Sequence, residues 1–161
     1  MGIKLQLSAG SPTPGPGSTC DKVVEISSAD SSGHSAPSFA ESNVLDCKLD
    51  TIWMSEKTHD PMIWFELKMQ KLVCRVDIAW AYTNVPDPRP PFKFRIETSL
   101  DNTNWVNVFP SGSSTVTTTE LEGYPVTPTD AKYVKITVTD SGLGSVNSLA
   151  QISEVKIFSY I

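Results

Sequence analysis

The sequence predicts an all-β fold, a sandwich or jelly roll of about eight short strands. From Lys22 onward, short β-branched or aromatic runs alternate with clusters of turn residues. No helical periodicity of useful length appears along the chain. The length of 161 residues suits one domain with a sizeable core. These three observations indicate a single β-sandwich domain.

The strand predictions rest on β-branched and aromatic runs bounded by turn residues. The run from Leu72 alternates, which places Leu72, Cys74, Val76 and Ile78 on the inward face. Between strands, Leu100–Asn104 predicts a tight turn in which Asn102 takes positive φ, and Pro125–Asp130 predicts another connection. The predicted strands are Val23–Ser27, Met62–Lys68, Leu72–Tyr82, Phe92–Ser99, Val106–Pro110, Ser114–Leu121, Ala131–Asp140 and Ile152–Tyr160.

The chain divides into an N-terminal linker, residues 1–21, and a β-sandwich binding domain, residues 22–161. Residues 9–19 are rich in Pro, Gly and Ser, a composition typical of an extended, flexible spacer. Such a spacer suggests that the domain is tethered to a neighbour. The opening Met1–Leu7 lacks the apolar stretch of a secretory signal, so we expect any native signal to lie outside this sequence.

The charge and hydropathy patterns disfavour two classes of partner. Thirteen basic and eighteen acidic residues give a net charge of -5, and no Lys/Arg cluster suits a phosphate backbone. No apolar run approaches the ~20 residues that cross a bilayer. We therefore expect neither nucleic-acid binding nor a membrane span.

Three cysteines leave at least one thiol unpaired. Cys74 lies on the inward face of its predicted strand, which favours a buried free thiol. Cys20 and Cys47 are then available for one disulfide, but sequence alone does not establish the distance between them. The pairing of Cys20 with Cys47 therefore stays open.

Short oxygen-bearing residues crowd the segment Asn43–Trp53, which ends on a large aromatic. Calcium takes roughly six to eight oxygen ligands and accepts backbone carbonyls beside one or two carboxylates. The segment is therefore a plausible hard-cation loop.

Four segments together resemble the discoidin, or coagulation-factor type C (F5/8 type C), family. After Asn43–Trp53 they come in the family's order: Arg75–Trp80, Phe94–Trp105, and Ala131–Thr137 with the closing Ile152–Ile157. The resemblance covers about residues 22–158. It implies a galactose-binding-like jelly roll, a fold that includes many carbohydrate-binding modules of secreted glycosidases and polysaccharide lyases. A secreted, extracellular module is the expectation that follows.

The resemblance also implies a structural calcium ion between the early turn and the last strand. Its ligands would combine two carboxylates, a hydroxyl and backbone carbonyls, from Asn43, Asp46, Lys48, Thr51, Ser153 and Glu154. The sequence departs from the family pattern at two positions. The family usually has Gly where Cys47 stands, and a positive φ there would strain Cys47. It usually has Asp or Asn where Lys48 stands. The alternative is a metal-free Asx turn.

The resemblance places the ligand on loops at one end of the sandwich, chiefly Tyr82–Phe92. Tyr82 can stack on a sugar ring, while Asn84, Asp87 and Arg89 can hydrogen-bond hydroxyls or, for Arg89, a uronate carboxylate. His59, in the preceding loop, is a weaker candidate. The alternative is a rigid, solvated loop in which Arg89 pairs with Asp87.

The tryptophans divide into two groups. Trp53, Trp80 and Trp105 match positions that pack structurally in the family, so we expect them in the core. Trp64 alternates outward between Ile63 and Phe65, which makes it a weak stacking candidate.

Catalysis has little support in the sequence. The two histidines lie in no recognised catalytic motif, and nothing singles out the acids that might form a glycosidase pair, Glu97, Asp101, Glu120 and Glu122. The favoured function is a non-catalytic carbohydrate-binding module, a monomer tethered to a larger secreted enzyme, that binds a polysaccharide or glycan. The alternatives are an adhesion or recognition domain for protein or phospholipid, and a small hydrolase or lyase.

Overall fold

A computed structural model describes residues 13–81, 91–115, 119–141 and 149–161. Two short 3-10 helices, Pro37–Phe39 and Glu41–Leu45, are followed by most of the sheet. The eight strands of the described residues are β1 Lys22–Val23, β2 Ile26–Ser31, β3 Trp53–Met54, β4 Met62–Trp80, β5 Lys93–Ser99, β6 Trp105–Ser113, β7 Leu121–Asp140 and β8 Gln151–Ser159.

The strands form two layers, because β4 and β7 are long enough to contribute to both. The five-strand layer has the order β2, first half of β4, second half of β7, β5, β6. The three-strand layer has β8, second half of β4 and first half of β7, with the two-residue strands β1 and β3 paired to β8. All the pairs are antiparallel, which confirms the predicted all-β sandwich.

The core lies between the two layers and is rich in aromatic side chains. Trp80 on β4 lies 4.9 Å from Phe94 on β5, centroid to centroid. Phe94 in turn meets Tyr124 of β7 edge-on at 4.8 Å. Each such pair adds about 0.5–1.5 kcal/mol beyond its buried area. Trp53 and Trp80 are fully buried, as expected.

Trp105 is a correction, because it is only partly buried and belongs to the outer face of the five-strand layer. Its ring is covered by the ammonium group of Lys135, whose Nζ is 4.1 Å from the ring centroid. The prediction of a core residue was wrong because β6 starts at Trp105 with the ring facing outward.

Several strand predictions also differ from the structure. The predicted strand Val23–Ser27 is divided between β1 and β2. The single strand β4 contains Met62–Lys68 and the predicted strand from Leu72 as far as Trp80. Pro125–Asp130 lies inside β7, together with Ala131–Asp140, rather than in a connection. Proline fits there because the β4–β7 register shifts between Val73 and Arg75, opposite Pro125. Of the predicted strand Ser114–Leu121, the described residues before Leu121 are not strand.

The cysteine pairing is the other correction. Cys20 and Cys74 form the disulfide, with Cα atoms 6.0 Å apart, and Cys47 is an exposed free thiol. Cys74 is buried, as its inward position predicted, but it is not free. Cys20 reaches it because β1 pairs with the end of β8, beside the second half of β4.

Further contacts hold the chain around Cys20 against the sandwich. Arg75 Nη1 donates to the Cys20 carbonyl at 3.2 Å and lies 3.7 Å from the Asp21 carboxylate. At the C-terminus, the Ile161 amide donates to the Thr19 carbonyl at 3.1 Å. Residues 19 and 161 are therefore neighbours at the end of the sandwich where β8 finishes.

Candidate functional site

The predicted ligand loop leaves and re-enters the sandwich at well-fixed positions. Trp80 ends β4 and Phe92 precedes β5, and their rings stack with centroids 5.0 Å apart. The Ala81 amide donates to the Gln151 carbonyl at 3.0 Å. The Phe92 amide donates to Ser114 Oγ at 2.9 Å. The candidates Tyr82, Asn84, Asp87 and Arg89 themselves lie outside the described residues.

A chain of hydrogen bonds runs beneath this loop and reaches the next one. Trp80 Nε1 donates to Tyr124 Oη at 3.0 Å, and Tyr124 Oη donates to Glu122 Oε2 at 2.5 Å. The same Oε2 accepts from the Thr115 amide at 3.1 Å. The base of the β4–β5 connection is thereby coupled to the base of the β6–β7 connection. Sequence reasoning treated Glu122 only as a possible catalytic acid and missed this support.

The other acids considered for catalysis also have local partners. Glu97 Oε2 accepts from Arg95 Nε at 3.3 Å and lies 3.2 Å from Lys135 Nζ. The Asp101 carboxylate accepts from the Asn104 amide at 2.8 Å, in the turn at the opposite end of the sandwich from the ligand loop. Hydrogen bonds from Asn104 hold the pKa of Asp101 well below its usual value. These carboxylates stabilise separate parts of the sandwich.

His59 lies in the connection before β4, at the same end of the sandwich as the predicted ligand loop. Its side chain is 80% exposed, and Nδ1 is 3.4 Å from the Asp60 carboxylate. Asp60 has a φ of 50°, a left-handed conformation in a sharp turn. An exposed imidazole at this edge is accessible to a ligand.

The predicted calcium loop follows the second 3-10 helix. Asp46 Oδ2 accepts from the Thr51 hydroxyl at 2.7 Å, and Asp46 Oδ1 accepts from the Lys48 amide at 3.0 Å. Asn43 Nδ2 donates to the Ile52 carbonyl at 2.7 Å and closes the loop. Asp46 and Thr51 are therefore brought together, and the bond from the Lys48 amide to Asp46 is an Asx turn, the arrangement named above as the alternative to a calcium site.

β8 supplies the other half of the candidate set. Glu154 Oε2 accepts from the Cys47 amide at 3.1 Å, and Ser153 Oγ donates to the Ala79 carbonyl at 3.2 Å, which fixes β8 beside β4. Cys47 has a φ of 61°, the left-handed conformation that strains a residue with a side chain and suits the family's usual glycine. The turn aims the Cys47 amide at the carboxylate.

The electrostatics of Glu154 suit a cation. Burial raises the pKa of Glu154, the Asp46 charge raises it further, and the Cys47 amide and the charge of Lys156 oppose the shift. Two carboxylates thus share a restricted space, with hydroxyl and carbonyl oxygens in the same segments. Among the residues that the structure describes, no group of three or more His, Cys, Asp or Glu side chains could hold a metal ion. A calcium ion here would therefore need hydroxyl and backbone carbonyl oxygens beside the two carboxylates.

Within the described residues, no helix has the length and apolarity to cross a membrane.

Comparisons with known proteins agree with this architecture. The family model for the F5/8 type C domain matches residues 25–155. No curated protein sequence matches the chain. Among solved structures, the family 32 carbohydrate-binding module of AlyQ, in complex with 4,5-unsaturated mannuronic acid, is 29% identical with a TM-score of 0.73. That match covers 84% of this chain and 97% of the module.

Two further structures share the fold. Truncated AlyQ, with its carbohydrate-binding module and alginate lyase domains, is 30% identical with a TM-score of 0.74, over 86% of this chain and 33% of that one. The family 32 module of NanJ from C. perfringens, in complex with galactose, is 16% identical with a TM-score of 0.69, over 86% of this chain and 98% of the module. With a family model matching most of its length and this sandwich as its fold, the chain belongs to the F5/8 type C domain family.

Proposed function

We propose that the chain is a non-catalytic carbohydrate-binding module that directs an attached secreted enzyme to a polysaccharide. The observation that carries the proposal is the match at 29% identity over 97% of a module that was crystallised with a uronic acid sugar. The same module type occurs beside alginate lyase domains in the longer AlyQ structure. A uronate-containing polysaccharide is therefore the first ligand class to test.

We propose that Tyr82, Asn84, Asp87 and Arg89 contact the sugar, with His59 at the edge of the site. Two features support this placement. The ends of the loop are fixed by Trp80 and Phe92, so the scaffold beneath it is rigid. Binding residues on loops above a rigid scaffold lose less conformational freedom when the ligand binds.

Affinity electrophoresis in gels containing alginate, pectin or galactan tests the binding function. We expect retardation of the wild type on at least one acidic polysaccharide and a loss of about tenfold in affinity for Arg89→Ala, because an Arg–carboxylate pair is charge-assisted. Lys71→Ala removes an equal charge at the far end and serves as the control. Absence of retardation on every glycan would contradict the proposal and favour a protein or phospholipid ligand.

The proposed absence of catalysis has its own test. Incubation with the bound polysaccharide should release neither new reducing ends nor the unsaturated product of a lyase. Three of the acids considered as catalytic groups, Glu97, Asp101 and Glu122, have structural hydrogen bonds. Product formation that survives purification to homogeneity would overturn this part of the proposal.

The secreted location and the tether are proposals as well. The Cys20–Cys74 disulfide is typical of an oxidising compartment. Residues 9–19 have the composition of a flexible spacer, so the domain is proposed to act as a monomer on a tether. Light scattering of the purified domain should give the mass of one chain, whereas a stable dimer would contradict the monomer.

We further propose a structural calcium ion held by the Asp46 and Glu154 carboxylates with Thr51 and the carbonyls of Asn43, Lys48 and Ser153. The ion would neutralise two carboxylates that raise each other's energy and would fasten the loop to β8. Calcium at about 100 times its dissociation constant should raise the free energy of unfolding by about 2.7 kcal/mol. Thermal melts with calcium and with a chelator measure this difference.

Glu154→Gln should abolish the response to calcium, while Glu25→Gln, which removes an exposed acid elsewhere, should retain it.

The stability of the wild type and of Glu154→Gln should also depend differently on pH. Because the folded-state pKa of Glu154 is raised from 4.5, the calcium-free wild type loses stability as the pH rises through that pKa, and the Gln variant should not. An identical melting temperature with and without calcium would remove the ion from the proposal.

A further inference from the structure

We propose that the outer face of the five-strand layer is a second site for an acidic polysaccharide, separate from the loop site. The proposal rests on the proposed function for the class of ligand. We call this surface the aromatic face, and define it by six outward side chains: Trp64 on β4, Tyr133 and Lys135 on β7, Arg95 and Glu97 on β5, and Trp105 on β6.

The register of the sheet brings these residues together. Trp64 pairs with Lys135, which pairs with Glu97 on the next strand. One row further along, Tyr133 and Trp105 both pair with Ser99, from either side. Because strands lie about 4.8 Å apart, Tyr133 and Trp105 are separated by about 10 Å, and Trp64 lies on the strand beyond Tyr133. The three rings span a distance comparable with a short oligosaccharide.

Alternation along the strands shows that these side chains face outward. The residues on either side of Trp64, Ile63 and Phe65, are fully buried in the core. The same holds for Val134 and Ile136, on either side of Lys135. Trp64, Tyr133 and Trp105 remain partly exposed. The Trp64 and Tyr133 rings provide flat apolar surfaces on which sugar rings stack, whereas one side of the Trp105 ring is covered by Lys135.

The charges in the middle of the aromatic face favour an anion. One carboxylate, Glu97, is shared by Arg95 Nε at 3.3 Å and Lys135 Nζ at 3.2 Å. Two cations therefore meet one carboxylate at the centre of the face, and a second carboxylate, the exposed Asp30 of β2, lies beside Trp64 as its cross-strand partner at the edge of the face. Glu66, at the border of the face, is already paired with Lys132 at 3.3 Å.

The ion pairs with Glu97 also fix the positions of Arg95 and Lys135. The side chains of Lys135 and Glu97 are 13% and 15% exposed, so their arrangement is fixed by packing. Arg95, at 33% exposed, uses Nε for Glu97, which leaves the outer nitrogens of the guanidinium directed away from that bond. A planar guanidinium binds a carboxylate through two parallel hydrogen bonds, a geometry that a uronate supplies and a neutral sugar does not.

An extended ligand suits this surface, since Trp64, Tyr133 and Trp105 lie on three different strands. A chain of uronates lying across the strands would stack on Trp64 or Tyr133 and present a carboxylate to Arg95. Two sites on one polysaccharide chain raise the apparent affinity through effective concentration. The loop site and the aromatic face would then bind separate parts of the same polymer.

Backbone and indole amide NMR spectra, recorded during titration with a mannuronate hexasaccharide, test the inference. We expect the indole N–H signals of Trp64 and Trp105 to shift and saturate, and a neutral galacto-oligosaccharide to leave them in place. Arg95→Gln should weaken this response about tenfold, as expected for a charge-assisted hydrogen bond. Trp64→Ala should weaken it as well, and melting temperatures confirm that both variants fold.

Arg89→Ala and Lys71→Ala separate the possible results. If the indole signals respond in Arg89→Ala as in the wild type but not in Arg95→Gln, the aromatic face is a site of its own. If the wild type binds the hexasaccharide with no change at Trp64 or Trp105, the inference is wrong while the proposed function stands. If only the aromatic face responds, the loop assignment is wrong and this inference stands.

Two further results would overturn the inference. An absence of any response to acidic or neutral sugars contradicts both the proposed function and the second site. A loss of response in Lys71→Ala equal to that in Arg95→Gln shows nonspecific charge attraction.

Discussion

Cys47 holds a left-handed backbone conformation, with a φ of 61°, although it carries a side chain. This conformation costs a residue with a Cβ roughly 1–2 kcal/mol. The hydrogen bond from its amide to the buried Glu154 depends on that turn. The strained backbone of Cys47 thus places its N–H group where it can donate to Glu154 on β8.

We expect Cys47→Gly to raise the free energy of unfolding by up to about 1 kcal/mol. The substitution removes the left-handed strain, and the greater freedom of glycine in the unfolded chain offsets part of the gain. Urea denaturation measures the change. Asn102→Gly is the matched control: Asn102 has a φ of 60° but belongs to a type that tolerates this region, so its gain should be smaller. A loss of stability in Cys47→Gly would contradict the account.

Asp101 is expected to stabilise the β5–β6 turn in its ionised form. Its carboxylate accepts from the Thr103 and Asn104 amides, and these bonds lower its pKa in the folded state. The contribution is therefore complete above the usual value of 3.8 and fades as the pH falls through the folded-state pKa. Asp101→Ala should melt below the wild type at pH 7, with a gap that narrows under strongly acidic conditions. A gap that widens toward low pH would disprove this role.

Among the secondary-structure elements, the ends of β4 and β7 support the predicted ligand loop through Trp80, Tyr124 and Glu122. Trp80 Nε1 is buried and depends on the Tyr124 hydroxyl. Removing an acceptor from a buried donor costs about 1–3 kcal/mol. This hydrogen-bond chain links the stability of the sandwich to the geometry of the two loop bases.

Tyr124→Phe should lower the free energy of unfolding by about 1–3 kcal/mol, because Trp80 Nε1 is left without its acceptor. It should also accelerate hydrogen exchange at the Thr115 amide, since Glu122 loses the hydroxyl that orients it. Two-dimensional NMR measures both effects. Tyr133→Phe, in the five-strand layer, controls for the loss of a phenol. Unchanged exchange at Thr115 would show that the two loop bases are independent.

Local pattern predicted most elements, and tertiary context explains the exceptions. Alternation from Cys74 to Ile78 and the turn at Asn102 follow from neighbouring residues alone, and both are present in the structure. Val73, and not Leu72, is fully buried, because the register of β4 shifts between Val73 and Arg75. Pro125 lies in a strand because a register shift opposite it removes the need for its N–H, which no local rule reveals. Trp105 was assigned to the core because it matches a position that packs structurally in the family, but β6 turns its ring outward.

The candidate site was predictable to the same extent. Asp46 and Thr51 were named through the resemblance to the F5/8 type C family, and the structure joins them by a hydrogen bond. It also joins the neighbouring Cys47 amide to Glu154. The role of Tyr124 was not predictable, because it joins strands 44 positions apart in the chain. The disulfide partner of Cys20 was missed for the same reason, since β1 meets β4 only through β8.

At the level of the whole molecule, the Cys20–Cys74 bond closes a segment of 54 residues. Constraining the unfolded chain over that length contributes about 4 kcal/mol in the loop-entropy model. Replacing both residues, Cys20→Ser with Cys74→Ser, should lower the free energy of unfolding by about 2–4 kcal/mol. Denaturation with and without a reductant measures it. Cys47→Ser should retain the wild-type sensitivity to reductant, whereas an insensitive wild type would contradict the pairing.

The same bond determines how a pulling force would enter the domain. β1 is two residues long and pairs only with the end of β8, so hydrogen bonds alone would let it peel away under tension. With Cys20 bonded to Cys74, tension on the preceding chain passes directly into β4, which pairs with β2, β7 and β8. The load is then shared by the two layers at once. A force applied through the chain that precedes Cys20 would therefore have to separate β4 from its neighbours in both layers before β1 could detach from the edge of the sandwich.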